Sequence, residues 1–273
     1  MRAAVAIPPI DPTLPPRSPL ARRPAWIRAA AAVYAPFALS LMVVYGAMSS
    51  ALIWPFAPLR RGRRERYSMV GAQWFAWMCL RPALLARITV RGRERLPRDQ
   101  GFLVVCNHRA FTDVALLQLY TRSNGVSKKE VAYIPFFGLN GYLTGAIFFD
   151  RKSRLGRARV IDQAVSLMRS GAALHVFPEG TRTRTGELSG RIYLRLVQTA
   201  SEHGFPIVPA CVWGTERGVP ATTFGILPGQ EMGLEIGDPV ARRPDEAPEA
   251  HAQRAWEEVV AMARRNGADE PFP

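Results

Sequence analysis

From Ala29 to Leu59 the chain reads "AAAAVYAPFALSLMVVYGAMSSALIWPFAPL", without a single charged side chain. About 20 predominantly apolar residues are enough to span the hydrocarbon of a bilayer, so a run of this length must lie in lipid or be covered by protein. Three arrangements satisfy that demand: a membrane-spanning helix, a core helix beside a basic surface loop, or a re-entrant helix pair in one leaflet. Pro36 and Pro55 are positions where a helix kinks or ends. Arg22, Arg23 and Arg28 precede the run, and Arg60, Arg61, Arg63, Arg64 and Arg66 follow it. Basic residues concentrate on the cytoplasmic flank of a membrane segment. The heavier downstream cluster therefore predicts a protein of the cytoplasmic (inner) membrane, with the rest of the chain on the cytoplasmic side.

The parts on either side follow from this run. Residues 1–24 are proline-rich, which predicts a disordered tail, and their prolines and arginines do not suit a signal peptide. After the run, "YSMVGAQWFAWMCLRPALL" (67–85) is aromatic-rich and broken by Pro82. Trp74, Phe75 and Trp77 suit a membrane interface and equally suit a helix packed on a following domain. The expected organisation is a tail (1–24), a membrane-associated helical region (25–87) and an α/β domain (88–273).

Composition is ordinary for a globular chain, with 48% hydrophobic and 21% charged residues. The net charge of +14 is not, and acidic residues outnumber basic ones only beyond residue 190. Such an excess points to an anionic partner: a phospholipid surface, a phosphorylated substrate or nucleic acid. Nucleic-acid binding favours aromatics interleaved with a basic face, whereas here the aromatics gather in the N-terminal apolar part, so no nucleic-acid partner is expected. Cys79, Cys106 and Cys211 are far apart and odd in number, which predicts reduced thiols with no disulfide and no structural zinc. The scattered histidines 108, 175, 203 and 251 make no metal site. His175 lies within an apolar strand and is expected as a satisfied core residue, His203 and His251 as surface residues. No lysine follows a glycine and no G-x-G or G-x-S-x-G occurs, which removes P-loop NTPases, dinucleotide enzymes and nucleophile-elbow hydrolases.

Beyond residue 88 short apolar runs alternate with helical periodicity. Strands are predicted at 101–106, 145–149, 172–177, 206–212 and 232–236, and helices at 113–121, 153–170, 191–203 and 249–265. Ile161, Ala164, Val165 and Met168 form one core-facing stripe, and Gly171 suits the end of that helix. Strands separated by helices indicate a layered α/β domain with a mostly parallel sheet. In "NHRAFTD" (107–113), Thr112 has the chemistry of an N-cap. His108 then sits at the C-terminal end of a strand and Asp113 in the first turn of the next helix, at the crevice where open α/β sheets bind ligands.

Four blocks follow or contain a strand: "NHRAFTD", "GAIFFDR" (145–151), "FPEGTRTR" (177–184) and "IVPACVWG" (207–214). In order and approximate spacing they resemble the signature blocks of the glycerolipid acyltransferases, in particular the bacterial enzymes that acylate 1-acylglycerol-3-phosphate. The likeness covers roughly residues 85–240. It implies a glycerol-3-phosphate acyltransferase-like sheet flanked by helices. It also implies transfer of a fatty acyl chain from a thioester, acyl-CoA or acyl-acyl-carrier-protein (acyl-ACP), to a lysophospholipid hydroxyl, with these co-substrates and membrane lipids as partners and no cofactor. His108 is then the general base, the usual role of a histidine, and Asp113 its orienting acid. The substrate hydroxyl is the nucleophile, so Cys106 is left to packing. The "FPEGTR" block implies that Glu179, Gly180, Thr181 and Arg182 hold the glycerol-phosphate part of the acceptor, Arg182 gripping phosphate with its planar fork and Glu179 orienting an arginine or the glycerol hydroxyl. Arg151 is a second phosphate candidate, oriented by Asp150. Lys128, before "PFFG", is a third. The sequence departs from many relatives at "ELSGRIYLR" (187–195) and at Leu139, positions that bear on acceptor and acyl preference. Two other functions fit the charge pattern: acylation of another lysolipid such as lyso-ornithine lipid, or non-catalytic binding to a membrane.

Overall fold

The computed structural model describes residues 18–60, 63–134, 136–150, 153–221 and 225–272. Most of the expected disordered tail (residues 1–17) and Arg151 lie outside them. Ser18–Arg23 form turns, and Leu20 is buried beside Gly225.

The uncharged run becomes helix α1 (Ala25–Ile53), which continues through Pro36 and ends in a short 3-10 turn holding Pro55. The helical stretch Ala25–Phe56 is 32 residues long and holds an 18-residue window of mean hydropathy 1.8, long and apolar enough to cross a membrane. Its faces differ by size rather than polarity. Small residues, Ala31, Ala35, Ala38, Gly46, Ser49 and Ser50, are buried, whereas Val33, Phe37, Val43, Val44, Met48 and Leu52 are exposed. With small residues along most of the inner face and Ile53 seated over Gly71, α1 approaches α2 (Arg63–Met78) closely, and the Ser49 hydroxyl donates to the Gly71 carbonyl at 2.9 Å. The pairs Tyr45–Trp74 and Phe56–Tyr67 make the two helices antiparallel. Both readings of the aromatic stretch are realised: Phe75 is buried edge-on to Phe137 at 5.0 Å, while Trp77 is exposed. Pro82 sits in a π-helical turn, Cys79–Ala83, that closes α2.

The rest is a seven-stranded sheet. Its strands are β1 (Arg87–Arg91), β2 (Leu103–Cys106), β3 (Ser123–Lys128), β4 (Ile147–Phe149), β5 (Ala173–Val176), β6 (Ile207–Trp213) and β7 (Glu231–Ile236). They lie in the order β1-β7-β6-β2-β5-β3-β4, and every pairing is parallel except β6–β7. The helices are α3 (Thr112–Thr121), α4 (Phe137–Thr144), α5 (Arg154–Arg169), α6 (Arg195–Glu202), α7 (Thr215–Gly218) and α8 (Pro248–Arg265).

Period-two alternation divides β2 between two cores. Leu103 and Val105 pack with α5, α6 and α8 on one face, and Val104 and Cys106 with α1, α3 and the end of α2 on the other. The expected layered, mostly parallel sheet is thus present, with β1 and β3 added to the strands foreseen. The helix expected at 191–203 starts only at Arg195, because the Tyr193 N–H is committed to the Pro178 carbonyl at 2.8 Å. Gly171 follows α5 with φ +87°, as its position implied. His251, expected at the surface, is buried: its ring nitrogens bond the Ser201 hydroxyl and the Val240 carbonyl, each at 2.8 Å. His203 is exposed.

Candidate active site

The order β6-β2-β5-β3-β4 brings the ends of five parallel strands, and so the four blocks, to one edge of the sheet. The first block leaves β2 through Asn107, which closes two bonds on β6: its amide donates to the Val212 carbonyl at 2.9 Å and its oxygen accepts the Val212 N–H at 2.8 Å. One oxygen of Asp113 then gathers the turn. It accepts the backbone N–H groups of Arg109 and Ala110, at 2.6 and 2.8 Å, and lies 2.8 Å from Nδ1 of His108. Asp113, and not Thr112, is therefore the side chain that organises the start of α3. Thr112 is its first helical residue, and its buried hydroxyl has no hydrogen-bond partner among the described residues.

His108 is held from every side but one. Its backbone N–H donates to Glu179 Oε1 at 2.8 Å, and its carbonyl accepts from Thr183 N–H at 2.9 Å. Its ring stacks on Phe177 with centroids 4.0 Å apart and planes 12° from parallel. A carboxylate can only accept, so Nδ1 carries the proton and Nε2 presents a lone pair. Nε2 makes no hydrogen bond among the described residues, and the side chain keeps 16% of its exposure. That leaves a basic nitrogen reachable from outside and a ring that cannot turn.

Of the two partners expected for Glu179, no arginine bonds it among the described residues. The side chain is buried: Oε1 accepts from His108 and Oε2 from the Ser189 N–H at 3.0 Å. Burial pushes its carboxyl up to about 7, against the downward pull of those two N–H groups. Gly180 closes a tight turn with φ +66°, its N–H on the Phe177 carbonyl at 2.9 Å and the Tyr193 ring against its α-carbon. Thr181 is exposed. Arg182 is half-buried with no ion pair or hydrogen bond to the described residues, a guanidinium fork left for something else. Lys128 is exposed at the end of β3, and Asp150, expected to orient Arg151, holds Lys129 at 2.6 Å.

Beside Phe111 and Thr112 opens a mostly apolar cavity whose walls include Phe75, Cys79, Ala115, Phe137 and Phe148. Cys106 is fully buried, and burial raises its thiol well above the ordinary value, so it is no nucleophile. His175 is buried as expected and its Nδ1 lies 2.9 Å from the Ser123 hydroxyl, but Nε2 has no partner among the described residues. Burial lowers its pKa to about 3, which keeps it neutral. No group of histidine, cysteine and acidic side chains suited to a metal occurs among the described residues.

Residues 87–213 match the family model described as Acyltransferase. The matched segment is just under half of the chain. The chain is similar to a 1-acyl-sn-glycerol-3-phosphate acyltransferase of Chlamydomonas reinhardtii, 31% identical over 56% of this chain and 47% of that protein. A chloroplastic protein of the same description from Arabidopsis thaliana is 28% identical over 68% and 52%. One from Pseudomonas aeruginosa is 29% identical over 59% and 65%. The chain thus spans about half the length of the plant and algal relatives it matches. Among solved structures, a 1-acyl-sn-glycerophosphate (LPA) acyltransferase of Thermotoga maritima superposes with a TM-score of 0.72 at 23% identity, over 88% of this chain and 96% of that one, a likeness of fold. The segment that matches the model begins at β1 and ends with β6, so it contains the first three blocks and all of the fourth but Gly214.

Proposed function

We propose that this protein transfers a fatty acyl chain from an acyl-thioester to the free hydroxyl of 1-acylglycerol-3-phosphate, giving phosphatidic acid. The observation that carries the reading is the His108–Asp113 pair with Nε2 unengaged, beside a block in which Thr183 bonds the His108 carbonyl and Arg182 has no ion pair among the described residues. His108 takes the hydroxyl proton as that oxygen attacks the thioester carbonyl. Asp113, acceptor to Nδ1–H, stabilises the imidazolium that forms. The tetrahedral adduct then breaks its carbon–sulfur bond, and the proton on Nε2 passes to the departing thiolate. The carbon–oxygen bond made replaces the carbon–sulfur bond broken, so no cofactor is required; acyl-CoA and acyl-ACP both meet the donor's part.

Arg182 supplies a charge-assisted grip on the acceptor phosphate, worth about 1.5–3 kcal/mol. Gly180 and Thr181 precede Arg182 in the same block, Lys128 at the end of β3 is a further phosphate candidate, as is Arg151 outside the described residues, and Glu179 serves the site through His108. The apolar cavity beside Phe111 suits an acyl chain. Exposed Val33, Phe37, Val43, Trp54 and Val70 on α1 and α2 support a place in the inner membrane. The exposed Arg60, Arg63 and Arg66 support a catalytic domain on its cytoplasmic side.

The test is purified protein in detergent with labelled acyl-thioester and a panel of lysolipids. Lysophosphatidic acid should be the preferred acceptor, and Arg182→Ala should erase the preference. Lysine at 182 should recover only part of it, since the charge returns without the fork. The same acceptor ranking in both proteins would make Arg182 structural and favour lyso-ornithine lipid or another lysolipid. No transfer to any of them would favour a non-catalytic membrane-binding protein.

A further inference from the structure

Arg109 follows His108 directly, yet its guanidinium is buried away from solvent among four elements. Nε and one terminal nitrogen face the two oxygens of Glu216, in α7, at 2.9 and 3.3 Å. The other terminal nitrogen donates to the Gly186 carbonyl at 2.8 Å and to the carbonyl of Ala268. The guanidinium carbon lies 5.3 Å above the ring of Phe272, itself buried. The segment Ala268–Phe272 after α8 is in turn fastened to the loop that follows Arg182. Phe272 N–H donates to the Thr185 carbonyl, and Gly186, at φ +99°, has no room for a Cβ against the backbone of Glu270 and Phe272. At the other end of the same loop Thr183 donates its N–H to the His108 carbonyl at 2.9 Å, while its hydroxyl accepts the Gly186 N–H.

Residues 183–186 are therefore clamped between the backbone of His108 and the side chain of its neighbour. Arg182 is the residue just before the clamp. We propose that Arg109, with Glu216 and Phe272, is a positioning residue that fixes the distance between the basic nitrogen of His108 and the phosphate grip of Arg182. The inference rests on the acceptor reading above. Misplacement of reacting groups by about 1 Å costs roughly 100-fold in rate, so a spacer of this kind has a measurable effect without touching substrate. A buried ion pair that only stabilises the fold has a different signature. It lowers activity by the folded fraction alone, whatever occupies position 182.

Removing Arg109 alone would strand the buried Glu216 charge and is strongly destabilising. The paired variant Arg109→Met with Glu216→Gln removes both charges, and Phe272→Ala is a milder second probe that leaves the ion pair in place. Each is made in the wild-type and the Arg182→Ala backgrounds, and kcat/KM is measured with 1-acylglycerol-3-phosphate. In the wild-type background the expected loss is about 10- to 100-fold. In the Arg182→Ala background the further loss should be less than about threefold, because two residues acting through one contact are not additive. Equal losses in the two backgrounds, or no loss in the first, would overturn the spacing role. Arg182→Ala by itself reports on the underlying reading: full activity there would remove the phosphate grip, and the proposed spacing with it.

Discussion

His108 has its ring orientation, its tautomer and both backbone polar groups fixed by partners from two segments of the chain, the start of α3 and the block 177–184. Among those partners Glu179 is the one that titrates in an unusual range. The folded chain holds the Glu179 proton up to about pH 7, against 4.5 for an ordinary glutamate, because burial disfavours the charge. Between those values the native state binds more protons than the unfolded state. Stability is therefore full below about pH 4.5 and is lost as pH climbs through about 7, after which this contribution is flat. Glu179→Gln should remove that slope, seen as melting temperatures that differ less between pH 5 and pH 8 than in wild type. It should also lower turnover, since an amide nitrogen cannot accept the second N–H and either His108 or Ser189 loses its partner. A wild-type slope in the glutamine variant would place the titration elsewhere. The sequence made His108, Asp113 and Arg182 legible because their chemistry is local to short blocks. It did not show the backbone bonds of Glu179 and left Asn107, Phe177 and Arg109 without a role, because their partners, Ser189, Val212, the His108 ring and Glu216, are set only by the packing of distant segments.

The strands that could be read from sequence, β2, β4, β5, β6 and β7, are those dominated by apolar residues, as strands buried between helices require. Strand β3 escaped for the opposite reason. "SNGVSK" is polar and small, since Ser123 must reach His175 and Gly125 must leave space for that ring: a Cβ there would meet Nε2 at 2.7 Å. Strand β1, "RITVR", is an edge strand with arginines outward, a pattern that also suits a loop. The uncharged run was legible as one long apolar element, but its docking was not. The closeness of α1 to α2 and α4 depends on Gly46, Ser49, Ser50 and Gly71, and the Ser50 hydroxyl lies 2.7 Å from the Asn140 amide oxygen. Most large apolar side chains of α1 face outward, so attachment to membranes should come from apolar burial and not from charge. The protein should therefore stay with membranes through a high-salt wash, because salt screens charge and leaves hydrophobic burial intact. Release by salt, or a monodisperse full-length protein without detergent, would contradict that attachment.

Across the whole molecule, the sheet brings His108 and Arg182 to one edge while α1 and α2 offer lipid-compatible surface, an arrangement suited to an acceptor whose phosphate is polar and whose tail stays in the bilayer. Charge agrees with it: the basic excess lies before residue 190, in the part that holds the helical region and the site. The central claim is that this edge of the sheet transfers an acyl group with His108 as its base. The most direct measurement is the initial rate of phosphatidic acid formation from labelled acyl-thioester and 1-acylglycerol-3-phosphate, by wild type and by His108→Ala of equal melting temperature. General-base help is worth about 10²–10⁴-fold, so wild type should form product and His108→Ala should be slower by at least about 100-fold. A His108→Ala protein that retains more than about a tenth of the wild-type rate would contradict the account.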